Sequence, residues 1–294
     1  MNLDVVVSKF YQEERIRTSR RLGRFLAIKD KSREVNYVLA HSYGRWLDNV
    51  VDEATDQVLA ERILDEQATK FKVLLEGGHL EATTVQDEML EYLKTHSDSE
   101  LFQVFLDMIN GIKIDSQVAR TGQVMDRAFL ETRNLSQYMP FFQLVSITAF
   151  GRRLEYGKEF EQLVKTWIDY DALRDLKEDL RMGLVLIASE ELVEYGINLQ
   201  PGKPVPSNFN LLVDRKKGQT MRNLVLQASA VETTNIPFLE RQALRLYFMS
   251  RSIKLAASNC RLPPGFIYNT IGTAAGDIAP MGAPVASQMY RRSA

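Results

Sequence analysis

The chain has 294 residues, 45% of them hydrophobic, with a formal charge of −1 and a pI near 6.4. That length and apolar content suffice for one large domain, and the near-neutral balance lacks the basic excess that nucleic-acid binders gather on one face, which argues against nucleic acid as a partner. A single cysteine, Cys260, cannot form an internal disulfide, and the three histidines His41, His79 and His96 show no zinc-ligand spacing, so a reducing, cytoplasmic setting is expected.

From about Asn2 to Arg17 the pattern allows a first helix, with acids where a secretory signal would be basic and then apolar. The basic stretch RIRTSRRLGR follows and reads as a solvated run. From about Ser32 to Val58 a long helix is expected, its apolar stripe made of Leu39, Tyr43, Trp46, Leu47, Val50 and Ala54. His41, Arg45, Asp48 and Asp52 fall on the opposite face at i, i+4, i+7 and i+11. Further helical patterns run roughly over Gln57 to Leu75, Thr84 to Thr95, Glu100 to Val118 and Gln123 to Tyr138, divided by Gly77-Gly78 and by THSDS. Pro140 then opens FFQLVSITAFG, which reads as a separate buried helix.

The next helix, Tyr156 to Arg181, carries Asp171, Asp175 and Asp179 four residues apart and therefore on one face. Leu173, Leu176 and Leu180 line its other side, while Val164 and Ile168 continue the aspartate face. Like charges at that spacing repel by a few tenths of a kcal/mol per pair, so a positive partner is expected against them. Arg174, Lys177 and Arg181 lie within a turn, and the helix reads as a wall between core and a lipophilic pocket with an acidic mouth. LVLIASEELVEYGINLQPGKPVPSNF reads as loop or short helix, since three prolines fall within six residues. Helices from Leu211 to Val231 and Pro237 to Ser258 complete the bundle, and beyond Pro263-Pro264 a short helical piece and a Gly/Ala/Pro tail end the chain. No convincing period-2 segment appears. The whole reads as an all-α, single-domain bundle over 1–262 with a tail over 263–294.

No apolar run approaches the ~18 residues that span a bilayer, so the chain is expected to be soluble, with peripheral membrane association left open. No GxGxxG, Walker A, GxSxG or HExxH pattern occurs. Taken singly, Asp48 has a plain reading as a surface partner of Arg45, and His41 as a structural histidine. Two distant aspartate pairs of identical spacing carry more, because carboxylates facing one another across a bundle can hold Mg²⁺ ions that share their oxygens with substrate phosphate.

YGRWLDNVVDE early and ALRDLKEDLRMG late together resemble the squalene/phytoene synthase family, whose members join two prenyl diphosphates head to head. SKFY with Phe10, INGIKID with Gly111 and Asp115, and Tyr138 agree with it, and the resemblance runs from about residue 7 to 258. It implies an isoprenoid-synthase bundle with a central cavity, in which Asp48 and Asp52 face Asp175 and Asp179 and bind Mg²⁺, with Mn²⁺ as an alternative ion. Asp171 joins them as a further metal ligand, Arg45, Arg174, Arg181 and His41 contact the diphosphate, and Tyr138 joins the catalytic set. Ionising an allylic diphosphate requires a stabilised leaving pyrophosphate and a dry apolar cavity for the carbocation.

Four departures set this chain apart. Asn49 stands where the first motif is often DDxxD, and Ile168 and Asp171 replace a Gln and an Asn. Leu184 and Leu186 replace an Arg and a Tyr, and LVSITAFG replaces a Gly-rich stretch. These changes favour altered chemistry: a terpene-cyclase-like reaction on one diphosphate, or a non-catalytic assembly or binding protein on the same fold, stand as alternatives. No dinucleotide fingerprint supports an NADPH-dependent step.

Overall fold

The computed structural model describes residues 30–52, 57–151, 158–231 and 238–268. The expected first helix, the basic stretch after it, Phe10 and the tail beyond Tyr268 lie outside the described residues. Ten helices are described: α1 Lys31–Asp52, α2 Gln57–Leu75, α3 Val85–His96, α4 Glu100–Thr121, α5 Arg127–Phe150, α6 Lys158–Arg174, α7 Leu176–Arg181, α8 Ser189–Glu194, α9 Phe209–Ala230 and α10 Phe238–Ala257. Two-residue strands, β1 Lys203–Pro204 and β2 Ile267–Tyr268, pair antiparallel with Lys203 opposite Tyr268. The fold is all-α, and none of the described helices is long and apolar enough to cross a membrane.

The described chain divides into two compact units, with boundaries at Lys113/Ile114 inside α4 and Leu135/Ser136 inside α5. In the first, Asp30 caps α1 by accepting from the Ser32 backbone N–H at 2.9 Å, the role expected of an acid at a helix N-terminus. The predicted stripe is the core: Leu39, Tyr43 and Leu47 are at most 1% exposed. Tyr43 sits at its centre, against Trp46, Phe71 and Phe105 at 5.2 to 5.8 Å between centroids. Its hydroxyl donates to Gln67 Oε1 at 2.6 Å, satisfying a phenol that would otherwise be buried at a cost.

Two sequence expectations are corrected here. Residues 123–126 are not helical, and α5 runs unbroken from Arg127 through Pro140 to Phe150 instead of ending before the proline. A proline inside a helix removes the bond its N–H would have made to the carbonyl four residues back, here that of Ser136. That carbonyl lies against Gly111 of α4, where a Cβ would come within 3.1 Å of it and within 3.2 Å of Gln137 Cα. The absent side chain lets the two helices approach closely.

In the second unit α6, α9 and α10 pack against one another. Leu163, Val164, Ile168, Leu173, Leu212, Leu224, Phe248 and Leu255 are buried. The connection after α7 contains the short α8, and the segment after Pro263-Pro264 forms a turn and β2 where a helical piece was expected. Tyr268 anchors that strand by donating its hydroxyl to the Gly122 carbonyl at 2.9 Å.

Candidate functional site

The candidate residues fall into one group in each unit. On α1, Arg45 Nη1 lies 2.6 Å from Asp48 Oδ2, so the plain surface pairing foreseen for Asp48 is made. The Asp48 side chain keeps 34% of its surface exposed. Asp52 closes the helix, and its side chain lies outside the described atoms. One turn before Arg45, His41 is wedged between Tyr37 and Phe141, with ring centroids at 5.6 and 5.5 Å. Its Nδ1 is buried without a hydrogen-bond partner, and burial, helped by the Arg45 charge, lowers its pKa to about 4. Near neutrality His41 is therefore an uncharged imidazole. Tyr138, half-buried on α5, belongs to the same unit.

The second group lies on α6 and α7. The single helix expected over Tyr156 to Arg181 is interrupted at Asp175, whose φ of −97° and ψ of 2° separate α6 from α7. The break leaves the four-residue spacing intact. Asp175 N–H donates to the Asp171 carbonyl at 2.9 Å, and Asp179 N–H to the Asp175 carbonyl at 2.9 Å. The three aspartates thus stay in helical register through the bend.

The positive partner demanded by that stack is present. Arg174 bridges Asp171 Oδ1, at 2.6 Å, and Asp175, to which it donates through Nε at 2.7 Å and again through Nη2. Asp171 also accepts from Trp167 Nε1 at 2.6 Å. Its Oδ1 meets Arg174 as an ion-pair contact without a hydrogen bond, and burial pushes its pKa up to about 6 against the opposing pull of Arg174. Asp175 stays open, with 38% of its side chain exposed. Asp179 is raised well above the usual carboxylate range, by burial first and then by the neighbouring Asp175 carboxylate. Of the other two cations expected here, Lys177 donates to the Asn259 carbonyl at 3.3 Å and Arg181 lies over the Phe266 ring at 5.4 Å.

Three neighbours of this group escaped the sequence reading. Arg133 of α5, 3% exposed, donates Nε to Asp115 Oδ1 at 2.5 Å and Nη2 to its other oxygen. Its charge opposes the rise in the Asp179 pKa. Arg251 of α10 lies over the faces of Trp167 and Tyr170 at 5.5 and 5.4 Å and donates to the Tyr170 hydroxyl at 3.4 Å. Trp167 is the third, through its bond to Asp171. The available signal was Arg251 itself, a cation on the same helical face as Phe248 and Leu255, which are 1% exposed. Nothing in the sequence links Arg133 to Asp115 across the intervening turn.

Leu184 and Leu186 join a small apolar cluster with Val118, Met125, Leu130 and Ala188. The positions that carry a cation and a hydroxyl in the resembled family are here packing residues.

No protein-family profile matches the chain, and no curated protein matches it. Among solved structures it is similar to a dehydrosqualene synthase in complex with ligand, with a TM-score of 0.63 over 87% of this chain and 95% of that one, at 13% identity. At that identity the likeness establishes architecture and not activity: the chain shares the helical fold of that dehydrosqualene synthase.

Proposed function

We propose that this protein is a Mg²⁺-dependent enzyme of isoprenoid metabolism that ionises prenyl diphosphates, farnesyl or geranylgeranyl in length, and couples them with release of pyrophosphate. The supporting observation is the aspartate stack of α6 and α7, held in register through a helix break and matched by a second aspartate pair on α1, in a chain with that synthase fold.

The donor chemistry suits Mg²⁺. It is a hard cation that uses one or two carboxylates, keeps several waters and takes further oxygens from substrate phosphate. Asp48 and Asp175 keep 34% and 38% of their side chains exposed, and with Asp52 and Asp179 they are the proposed ligands. Among the described residues no three metal-binding side chains converge, and an ion that shares phosphate oxygens does not require them. When bound, the metal would neutralise the leaving pyrophosphate. Asp171, whose Oδ2 accepts from Trp167 and whose Oδ1 contacts Arg174, would hold Arg174 beside Asp175 and remains a further candidate ligand. Arg45 and Arg174, paired with Asp48 and Asp175, would exchange a carboxylate for a phosphate oxygen when diphosphate binds. His41 is a neutral hydrogen-bonding group behind Arg45, while Arg181 and Tyr138 are secondary candidates.

Leu184 and Leu186 favour a second reading, a cyclase-like reaction on one diphosphate, since neither can supply the cation or hydroxyl that the resembled family carries at these positions. Purified protein supplied with Mg²⁺ and a panel of prenyl diphosphates, scored for pyrophosphate and extracted hydrocarbon, separates the two. A two-substrate hydrocarbon supports coupling and a one-substrate product supports cyclisation. Absence of pyrophosphate release from every substrate would replace both with a binding or assembly role.

A further inference from the structure

The three histidines of the chain stand in unlike surroundings. His79, with 80% of its side chain exposed, faces Glu91 Oε2 at 3.2 Å. His96 is also exposed, stacks on Tyr92 at 4.1 Å, and its Nδ1 meets the Tyr92 carbonyl at 2.9 Å. His41 is wedged between aromatic rings, and its Nδ1 is buried with no hydrogen-bond partner. Leaving a buried polar atom unpaired costs about 1 to 3 kcal/mol, so packing alone gives no reason for an imidazole there. A phenylalanine would fill the same slot without that cost.

The neighbours of His41 fit a reacting group. Tyr37, His41, Arg45, Asp48 and Phe141 all belong to the first unit. His41 and Arg45 are one turn apart on α1, a spacing that sets Cβ atoms about 5 to 6 Å apart. An allylic carbon bonded to a diphosphate at Arg45 would thus lie within reach of the imidazole. The Tyr37 and Phe141 rings border that place with hydrocarbon and π faces, which exclude water and attract a cation. Burial keeps His41 neutral near pH 7, so its ring holds one N–H and one free lone pair in either tautomer.

We propose that His41 is the catalytic base that takes the terminating proton from the carbocation formed at this site. This role depends on the prenyl diphosphate reading and serves coupling and cyclisation alike. Each pyrophosphate that leaves creates one cation, and a neutral hydrocarbon results only when one proton is lost. A C–H bond beside the cationic carbon breaks, its electron pair becomes the new C=C double bond of the product, and the proton passes to the unprotonated ring nitrogen of His41. The imidazolium, disfavoured in its slot and by the Arg45 charge, returns that proton to water when the product leaves and water enters.

The test compares wild type, His41→Phe and His41→Gln, each as the full chain with Mg²⁺ and farnesyl or geranylgeranyl diphosphate, for hydrocarbon formed per pyrophosphate released. Phenylalanine keeps an aromatic ring between Tyr37 and Phe141, and glutamine keeps a polar group without a basic nitrogen. In both variants the ratio should fall by about tenfold or more, with prenyl alcohols from water capture replacing the hydrocarbon. A role in diphosphate binding or packing lowers both quantities together; an unchanged ratio, or one restored in His41→Gln, overturns the proposal. Nitrogen NMR of the wild-type histidine rings decides where a variant proves inactive or unfolded. A non-ionisable prenyl diphosphate analogue with Mg²⁺ should shift the His41 signals and leave those of His79 and His96 in place. Unmoved His41 signals with the analogue bound overturn the role of His41 and spare the prenyl diphosphate reading. Absence of both analogue binding and pyrophosphate release in the wild type overturns both.

Discussion

Arg133, buried, and Asp115, half-buried, form a two-pronged ion pair, and Arg133 also donates Nη1 to Asn134 Oδ1 at 2.7 Å. Removing one partner of such a pair strands the other charge, whereas replacing both with apolar groups of similar volume is often close to neutral. Arg133→Met should therefore cost about 3 to 5 kcal/mol in urea unfolding, and Arg133→Met with Asp115→Leu should recover most of it. A single-variant cost well under 1 kcal/mol would show that the pair contributes little to stability.

Two half-buried titrating groups act in opposite directions with pH. His41, lowered to about 4, contributes stability that is present above the ordinary histidine pKa and is lost as pH falls from about 6.5 toward 4. Asp169, raised to about 6 by burial, contributes stability that is complete below the ordinary aspartate pKa and is lost as pH rises through 6. His41→Gln should thus flatten the loss of stability between pH 7 and pH 4.5 by about 2 kcal/mol, and Asp169→Asn should steepen it. Unfolding curves parallel to the wild type at both pH values would contradict these assignments. At this scale the sequence disclosed the aspartates and their spacing but not their partners. Trp167 lies four residues from Asp171 and was within reach of helical reasoning. Arg133 and Arg251 arrive from other helices, and only tertiary packing brings them in.

Helix geometry supplies its own contrast between two glycines. Gly111 lies against backbone atoms of α5, which cannot swing aside as a side chain end would, whereas a Cβ on Gly218 in α9 would meet nothing within 4 Å. Glycine costs about 1 kcal/mol in a helix interior relative to alanine. Gly218→Ala should therefore raise stability by about 0.5 to 1 kcal/mol. At Gly111 the same gain is set against an overpacking cost of about 1 to 3 kcal/mol, so Gly111→Ala should be destabilising in thermal melts. A stabilised Gly111→Ala would mean that α4 and α5 separate easily. Amphipathic periodicity located the helices because burial of one face is recorded every three to four residues, as Leu39, Tyr43 and Leu47 show. It failed at Pro140, where α5 tolerates the lost bond, and at Asp175, where a single residue's ψ divides α6 from α7 without disturbing the apolar stripe of Leu173, Leu176 and Leu180.

For the whole molecule, the all-α architecture was legible from periodicity, while the resemblance to a synthase rested on two short aspartate motifs. A solved dehydrosqualene synthase structure supports the architecture at 13% identity. The chemistry was less legible, because Leu184 and Leu186 could be read as lost polar groups but not as members of the cluster around Val118 and Leu130. If those leucines set the outcome, the wild type should make no squalene or phytoene at synthase-like rates. A variant carrying Asp171→Asn, Leu184→Arg and Leu186→Tyr should gain that activity on farnesyl or geranylgeranyl diphosphate by mass spectrometry. Efficient squalene or phytoene formation by the wild type would refute this.

The central claim is that the aspartates of α1 and of α6–α7 hold Mg²⁺ for a diphosphate. Its most direct test is calorimetric titration of the full chain with a non-ionisable prenyl diphosphate analogue, with and without Mg²⁺, in the wild type, Asp48→Asn and Asp175→Asn. Each substitution removes a hard ligand and its charge while relieving like-charge repulsion of a few tenths of a kcal/mol, which leaves the helices intact. Mg²⁺-dependent binding in the wild type, weakened about tenfold or more in each variant, a loss of at least 1.4 kcal/mol, is the predicted result. Wild-type affinity in both variants, or binding indifferent to Mg²⁺, would contradict it.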